Sequence, residues 1–328
     1  MSGEGTADRP VAAALAEAAD AARLAPSVHN TQPWRWRVEG GALDLYADRS
    51  RALPVADPEG RLLTISCGAA LHHARTALAA EGWQVRVARL PTPADPDHLA
   101  RITVPGHAPV SADAMRLFQT TQVRHTDRRS VSDNPVPVET LDAMRRAAEA
   151  EGIYLHVVRD EDVPRLASAV AHADQVGLTD PAQRAETAAW VGGAERSTTG
   201  VPDSALPARP VQTGVPGRDF GHAGSLDPGT GHDRYASYAI LFGPSDEPEA
   251  WLRAGEALSA AWLTAVERGA AVTPITSAVE VAGTREVLRR ILAGLGQPYA
   301  AMRVGLPDPE HAGPPHTGRL PADEVVDR

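Results

Sequence analysis

Two stretches of this chain share one plan. GAALHHARTALAAEGWQV at 68–85 aligns without gaps on GEALSAAWLTAVERGAAV at 255–272. Gly68 matches Gly255, Ala70 Ala257, Leu71 Leu258, Ala74 Ala261, Gly82 Gly269 and Val85 Val272. Each copy is a long apolar helix, a glycine stop and the start of a strand. Each follows an extended segment and leads into a proline-containing turn. Alanine-rich helices match one another by chance, so the shared plan weighs more than the identities. It predicts two halves of one fold, packed as the subunits of a homodimer would be.

The 328 residues allow one large or two smaller domains. Val11 to Leu24 reads as a helix, stopped because the residue before Pro26 is pushed out of the α region. Trp34, Trp36 and Val38 alternate with Arg35 and Arg37, a half-buried strand, and Gly40-Gly41 turns it into a second strand at Leu43, Leu45 and Ala47. Further helices are expected over 59–81, 112–123, 138–151, 160–191 (broken near Gly177 and Pro181), 248–268 and 285–295. Strands are expected from Val85 and over 154–158, 235–242, 271–273 and 299–304. The Pro-rich stretch 91–110 reads as a connection, and the C-terminal stretch around 316–321 as extended. Residues 1–9 read as a disordered tail, 10–110 as the first half and 111–328 as the second. Gly192 to Asp233 is rich in Gly and Pro and lacks apolar periodicity. A structureless run of that length inside a domain is uncommon. Because ordered elements resume on both sides, it reads as a lid or mobile functional loop.

Composition removes several chemistries. All 32 basic residues are arginine, so there is no Walker-type phosphate lysine, Schiff-base lysine or pyridoxal phosphate anchor. One cysteine, Cys67, excludes an intramolecular disulfide and a cysteine-rich metal site. The net charge of −10 argues against nucleic acid and anionic membranes as partners. No apolar run approaches the roughly 18 residues of a membrane helix, and the first residues lack the positive region of a signal peptide. A cytoplasmic protein is expected. There is no GxSxG, HExxH, CxxC, or GxGxxG after a strand. His72 and His73 diverge by about 100° on a helix, which is no metal-ligand spacing, and no metal is expected.

Two constellations remain. Arg124-His125-Thr126-Asp127-Arg128-Arg129 offers three guanidiniums and a hydroxyl, and in an extended stretch Arg124, Thr126 and Arg128 project to one side. Planar forks of this kind suit phosphate oxygens; the competing reading is a solvated charged loop. Ala25-Pro26-Ser27-Val28-His29-Asn30-Thr31-Gln32-Pro33-Trp34 packs polar groups into a stiff turn between two prolines, suited to hydrogen-bonding a flat heterocycle. Singly, Ser27 and Asn30 also read as caps of chain ends. Trp34, Trp36 and Cys67 read as core, Trp190 and Trp262 as core with lining of the site as the alternative, and His222 and His232 as loop surface.

The decapeptide resembles the APSxxNxQPW signature of the nitroreductase superfamily, and RHTDR resembles its R-x-S/T-x-R/K segment. In ordinary members the arginine motif precedes the turn by about 25 residues and each flavin site draws on two subunits. Here the order is inverted and the spacing wide, as in the Acg-like subgroup, where two degenerate halves share one chain. The resemblance spans about residues 10 to 325. It implies an α+β nitroreductase-like fold, internally duplicated, with mainly antiparallel sheets flanked by helices. It implies one FMN held by Pro26, Ser27, Asn30, Arg124, His125, Thr126, Arg128, Thr273, Pro274 and Arg319. Arg319 matches the basic residue of the closing strand that helps hold the phosphate. Arg128 is the candidate cation near flavin N1 and O2. The first half has no arginine motif of its own and the second, at Ala147 to Tyr154, has lost the turn, so a second flavin site should be missing.

The implied activity is oxidation of NAD(P)H and reduction of a nitro compound, quinone or other small acceptor by a ping-pong cycle, with no catalytic acid apparent. A second reading is an FMN store whose lid blocks nicotinamide. A third, weaker reading makes the flavin itself the substrate. A monomer with pseudo-dimeric halves or a homodimer is expected.

Overall fold

The computed structural model describes residues 11–192, 197–308, 313–314 and 316–327; the tail expected at 1–9 lies outside them. Two sheets form, each flanked by helices, with mainly antiparallel pairing.

The first sheet has strand order β3-β4-β2-β1-β9. β1 (Trp34–Glu39) and β2 (Ala42–Ala47) form the expected hairpin. Gly40 and Gly41 take φ of 59° and 75°, as a two-residue hairpin turn requires. β3 (Trp83–Arg89) follows the first repeat helix, α2 (Arg61–Ala80). The stretch 91–110 corrects the sequence reading. Its second part is β4 (His98–His107), paired with both β2 and β3. Leu99, Ala100 and Ile102 are buried there, and Pro105 sits where the register against β3 shifts between Gln84 and Arg86. A proline is tolerated at such a bulge. The end of the chain forms a short helix, α10 (Ala322–Val325), and β9 (Val326–Asp327), which pairs parallel with β1.

The second sheet has order β5-β6-β8-β7, from Tyr154–Val157, Ser237–Gly243, Gln297–Gly305 and Ala271–Ile275 respectively. Around it stand α4 (Val138–Ala150), α5 (Val163–Thr179), α6 (Pro181–Trp190), α7 (Pro248–Glu267), α8 (Ser277–Glu280) and α9 (Ala282–Ile291). α1 (Val11–Ala22) packs on α2, and α3 (Ala112–Val123) lies across α2 and α7. Gly177 does not break α5. The break falls at Asp180, whose carboxylate accepts from the Ala182 N–H as the cap of α6. Between α6 and β6 the described residues hold only a single 3₁₀ turn, Asp203–Ala205, and two isolated bridges, Val191–Val201 and Pro207–Leu226.

The repeat helices α2 and α7 cross at their matched glycines. A Cβ on Gly68 would collide with the Leu252 carbonyl, and one on Gly255 with that of Ile65. Residues 65 and 252 are separated by the same 187-residue offset as 68 and 255. So are His72 and Ser259, whose Nδ1 and Oγ lie 2.9 Å apart. Contacts that relate equivalent positions in this reciprocal way mark a two-fold arrangement, here inside one chain. The stops match as well: Gly82 and Gly269 have φ of 80° and 78°. Each central helix also feeds the other half's core. Leu62 and Ile65 join the cluster on the second sheet, and Leu252 joins the one on the first.

Candidate functional site

The 26–34 turn is tied down from three sides. His29, Asn30 and Gln32 all take positive φ (49°, 55° and 52°), a sparsely allowed conformation that neighbours must enforce. Ser27 Oγ accepts from the Gln32 N–H at 2.9 Å, and Ser66 Oγ of α2 accepts from the Val28 N–H at 3.3 Å. Asn30 donates to the carbonyls of Gly200 (3.0 Å) and Gly318 (3.1 Å), and its own carbonyl accepts from Arg319 at 3.2 Å. Gln32 donates to Thr198 (2.8 Å) and accepts from the Leu320 N–H (2.9 Å). The turn thus knots the first residues of the 197–233 segment to the C-terminal stretch.

Above the turn lies a cavity of about 1110 Å³, larger than the roughly 300–1,000 Å³ typical of a single small-molecule site. Pro26, Ser27, Thr126, Arg128, Thr273 and Pro274 all line it. Leu206, Pro207 and all of 209–223, from the Gly/Pro-rich segment, form a second wall of it, its roof. Two roof points are anchored: Arg218 pairs with Glu280 at 2.5 Å, and the Val215 N–H donates to Tyr238 Oη at 3.1 Å.

The remaining predicted residues form a cluster beside the cavity. Arg124 is buried and stacks on Trp262, a cavity residue, with its guanidinium carbon 4.6 Å from the ring centroid. Arg124 and Arg319 both donate to the Leu24 carbonyl, at 3.1 and 3.3 Å. Asn30 belongs to this cluster and does not reach the cavity wall. His125 stands at its edge, with Nδ1 3.0 Å from the Val123 carbonyl and its ring against His316.

Electrostatics set this region apart. Among the described residues, Arg124, Arg128 and Arg319 have no carboxylate partner. Burial, then Arg319, pulls Arg124 down to about 9. Burial outweighs Asp127 to bring Arg128 to about 10, and burial, then Arg23, brings Arg319 to about 10. Nearby, both ring nitrogens of His73, the Trp262 indole N–H and Nε of Arg124 and Arg319 are buried without partners. Burial, Arg124, His72 and Arg319 keep His73 neutral. Such a set is almost all donors, a chemistry suited to an anion with several oxygens. By contrast Arg129 is committed to Asp127 at 2.7 Å.

Several contributors escaped sequence reading. Arg303, on β8, pairs with the buried Asp233 at 2.5 Å and donates to the carbonyls of Asp127 (2.9 Å) and Arg129 (2.6 Å), holding the arginine motif in place. His222 and His232 line the cavity although exposed. His29, Phe220 and Trp262 line it too. Among the described residues, no group of three His, Cys, Asp or Glu side chains suits a metal ion.

No protein-family model matches the chain. A Mycobacterium tuberculosis protein named "Putative NAD(P)H nitroreductase Rv3131" is 40% identical over 307 residues, covering 92% of this chain and 88% of its own. Another from that organism, "Putative NAD(P)H nitroreductase acg", is 35% identical over 311 residues, covering 92% and 91%. Among solved structures, the FMN-dependent nitroreductase NfnB from Mycobacterium smegmatis in complex with NADPH is 19% identical with a TM-score of 0.40, covering 66% of this chain and 98% of that one; a likeness that weak carries no argument. The two close relatives span nearly the whole chain, and the chain belongs to the Acg-like group of the nitroreductase family.

Proposed function

We propose that this protein is an FMN-dependent NAD(P)H oxidoreductase of nitroreductase type, acting on a nitro compound, quinone or other small acceptor. One observation carries the reading: Arg128 lines a cavity with room for more than a single small ligand, Arg124 and Arg319 are buried in the cluster beside it, and among the described residues none of the three has a carboxylate partner. The close relatives are named for NAD(P)H nitroreductase activity. Bound FMN supplies two-electron hydride chemistry. Arg124 and Arg319, with His125 at the edge, hold the phosphate. Pro26, Ser27, Thr126, Arg128, Thr273 and Pro274 bind the rest, and Arg128 places a positive charge at the ring edge. Asn30 acts one step back, by fixing Arg319 and the turn. The roof formed by 206–223 excludes water. The halves run over 10–110 and 111–328, with β9 reaching back to the first sheet, and the chain works in the cytoplasm as a monomer or a homodimer of such chains.

The roof itself favours a second reading, storage of FMN under a closed lid. An anaerobic absorbance scan of the FMN-loaded protein separates the two. Bleaching of the flavin band by NADH or NADPH supports the reductase. A band that bleaches with dithionite only supports storage. A chain that takes up no FMN overturns both.

A further inference from the structure

His29 is the cavity residue with least structural reason to be where it is. Its left-handed backbone, φ 49°, is one a non-glycine residue rarely adopts, and pinned neighbours on both sides enforce it. Its imidazole lines the cavity. Among the described residues neither ring nitrogen has a hydrogen-bond partner, and neither is sealed off in the protein as those of His73 are. The Phe220 ring of the roof stands 5.9 Å away, edge-on at 73°. Burial, then the charges of Arg218 and Arg128, hold His29 well below its ordinary value. It is therefore neutral, with one N–H donor and one lone pair. Arg218 is spent on Glu280. Among the described residues Arg128 has only the Ala205 carbonyl (3.2 Å) and the Phe220 face. Histidines that serve packing spend their ring nitrogens on the protein. This one leaves both to whatever enters, at a strained position of the kind that gathers at functional sites.

We propose that His29 binds the oxygen of the second substrate, and that this substrate is a flat molecule whose oxygen is, or becomes, negatively charged, the class that includes phenolates, nitro groups and quinones. The inference rests on the flavoprotein reading and adds to it the residue that holds the acceptor's oxygen. The imidazole N–H, with the Arg128 charge behind it, favours negative charge on that oxygen. Trp262 and Phe220 supply flat apolar walls.

The test uses 4-nitrophenol, coloured only as its phenolate, titrated into FMN-loaded protein with the protein's own spectrum subtracted at each pH. Flavin content is measured separately for each variant. The bound probe is expected to ionise about one pH unit below the free probe, a tenfold effect. His29→Gly suits the left-handed backbone; it should keep its flavin and its melting temperature, bind the probe about tenfold more weakly and lose the shift. His29→Gln restores an N–H donor and should recover most of the binding. A parent protein without the shift, or a glycine variant that binds and ionises the probe like the parent, overturns the proposal. Failure of the parent to load FMN overturns the flavoprotein reading instead, and the same titration on the flavin-free chain still tests His29.

Discussion

Two arginine clusters flank the central helix pair, and they differ in one respect. At the first, Glu256 of α7 is fully buried and takes Arg75 of α2 at 2.5 Å and Arg89 of β3 at 2.7 Å; Glu151 takes Arg75 again at 2.6 Å. Burial pulls Arg75 down, but Glu256 and Glu151 more than offset it, and the net shift is upward. At the second, Arg124, Arg128 and Arg319 have no such partners and are all pulled down. The repeat relates the two places: Arg75 is the equivalent of Trp262 at the 187-residue offset, and Glu151 lies in the 147–154 stretch where the polar turn is absent. One of two symmetry-related hollows has been filled with carboxylates and now bolts the halves together. The other leaves Arg124, Arg128 and Arg319 without a carboxylate partner among the described residues.

The largest test of that contrast breaks the filled cluster. Glu256→Ala leaves Arg89 without a carboxylate and Arg75 with Glu151 alone, and should cost about 3–5 kcal/mol in urea denaturation. A loss below about 1 kcal/mol would mean the cluster is no bolt.

Acid titration comes next. Burial is the main cause holding His72 down to about 4, with Glu151 opposing it and Arg75 adding to it. Its unfolded value is about 6.5. In that window the unfolded chain binds the extra proton, so stability is intact above pH 6.5 and falls as pH drops towards 4. The slope is about 1.4 kcal/mol per pH unit for each such imidazole. His29 and His73 act in the same direction. Denaturation curves between pH 7 and 5 should show the loss, and His72→Gln should remove its share. Saturating FMN should reduce the His73 share, because an anion at Arg124 and Arg319 offsets two of the charges that, after burial, depress it. Equal slopes with and without FMN would place the anion elsewhere.

Arg124→Met, which keeps contact with Trp262, should weaken FMN binding by about 10- to 100-fold, the 1.5–3 kcal/mol of a charge-assisted hydrogen bond. Riboflavin binding should change little, so calorimetry on both ligands isolates the phosphate. The flavin-free variant should be no less stable than the parent, opposite in sign to Glu256→Ala.

Sequence periodicity found the repeat helices, their glycine stops and the β1–β2 hairpin, because those signals are local. It missed β4, whose approach is masked by Pro91, Pro93 and Pro96 and whose interior carries Pro105 at a bulge. It missed β9, two residues long and ordered only by pairing with β1. For the site, the turn and the arginine motif were legible because each is continuous in sequence. Arg303 was not, since a lone arginine in an apolar strand signals nothing until its partners Asp233 and Asp127 fold against it. His29 was visible as a letter in a motif, but its lack of partners is a tertiary fact. His73 read as an incidental neighbour of His72, and only the placement of Arg124 and Arg319 gives it meaning.

The smallest expected effect fixes what the comparison means. Arg253 and Glu249 form an ion pair on the exposed face of α7 at 2.9 Å, four residues apart. The pairing geometry resembles that of Arg75 and Glu256, but water screens both charges. Arg253→Ala should therefore cost less than about 0.5 kcal/mol, and added salt should erase even that. The measurement separates pairing from burial. If Arg253→Ala cost as much as Glu256→Ala, the cost would follow from pairing alone, and the missing carboxylates around Arg124 would say little about a ligand. A near-zero result leaves burial as the variable, and a buried guanidinium without a partner then points to an anion still to be bound.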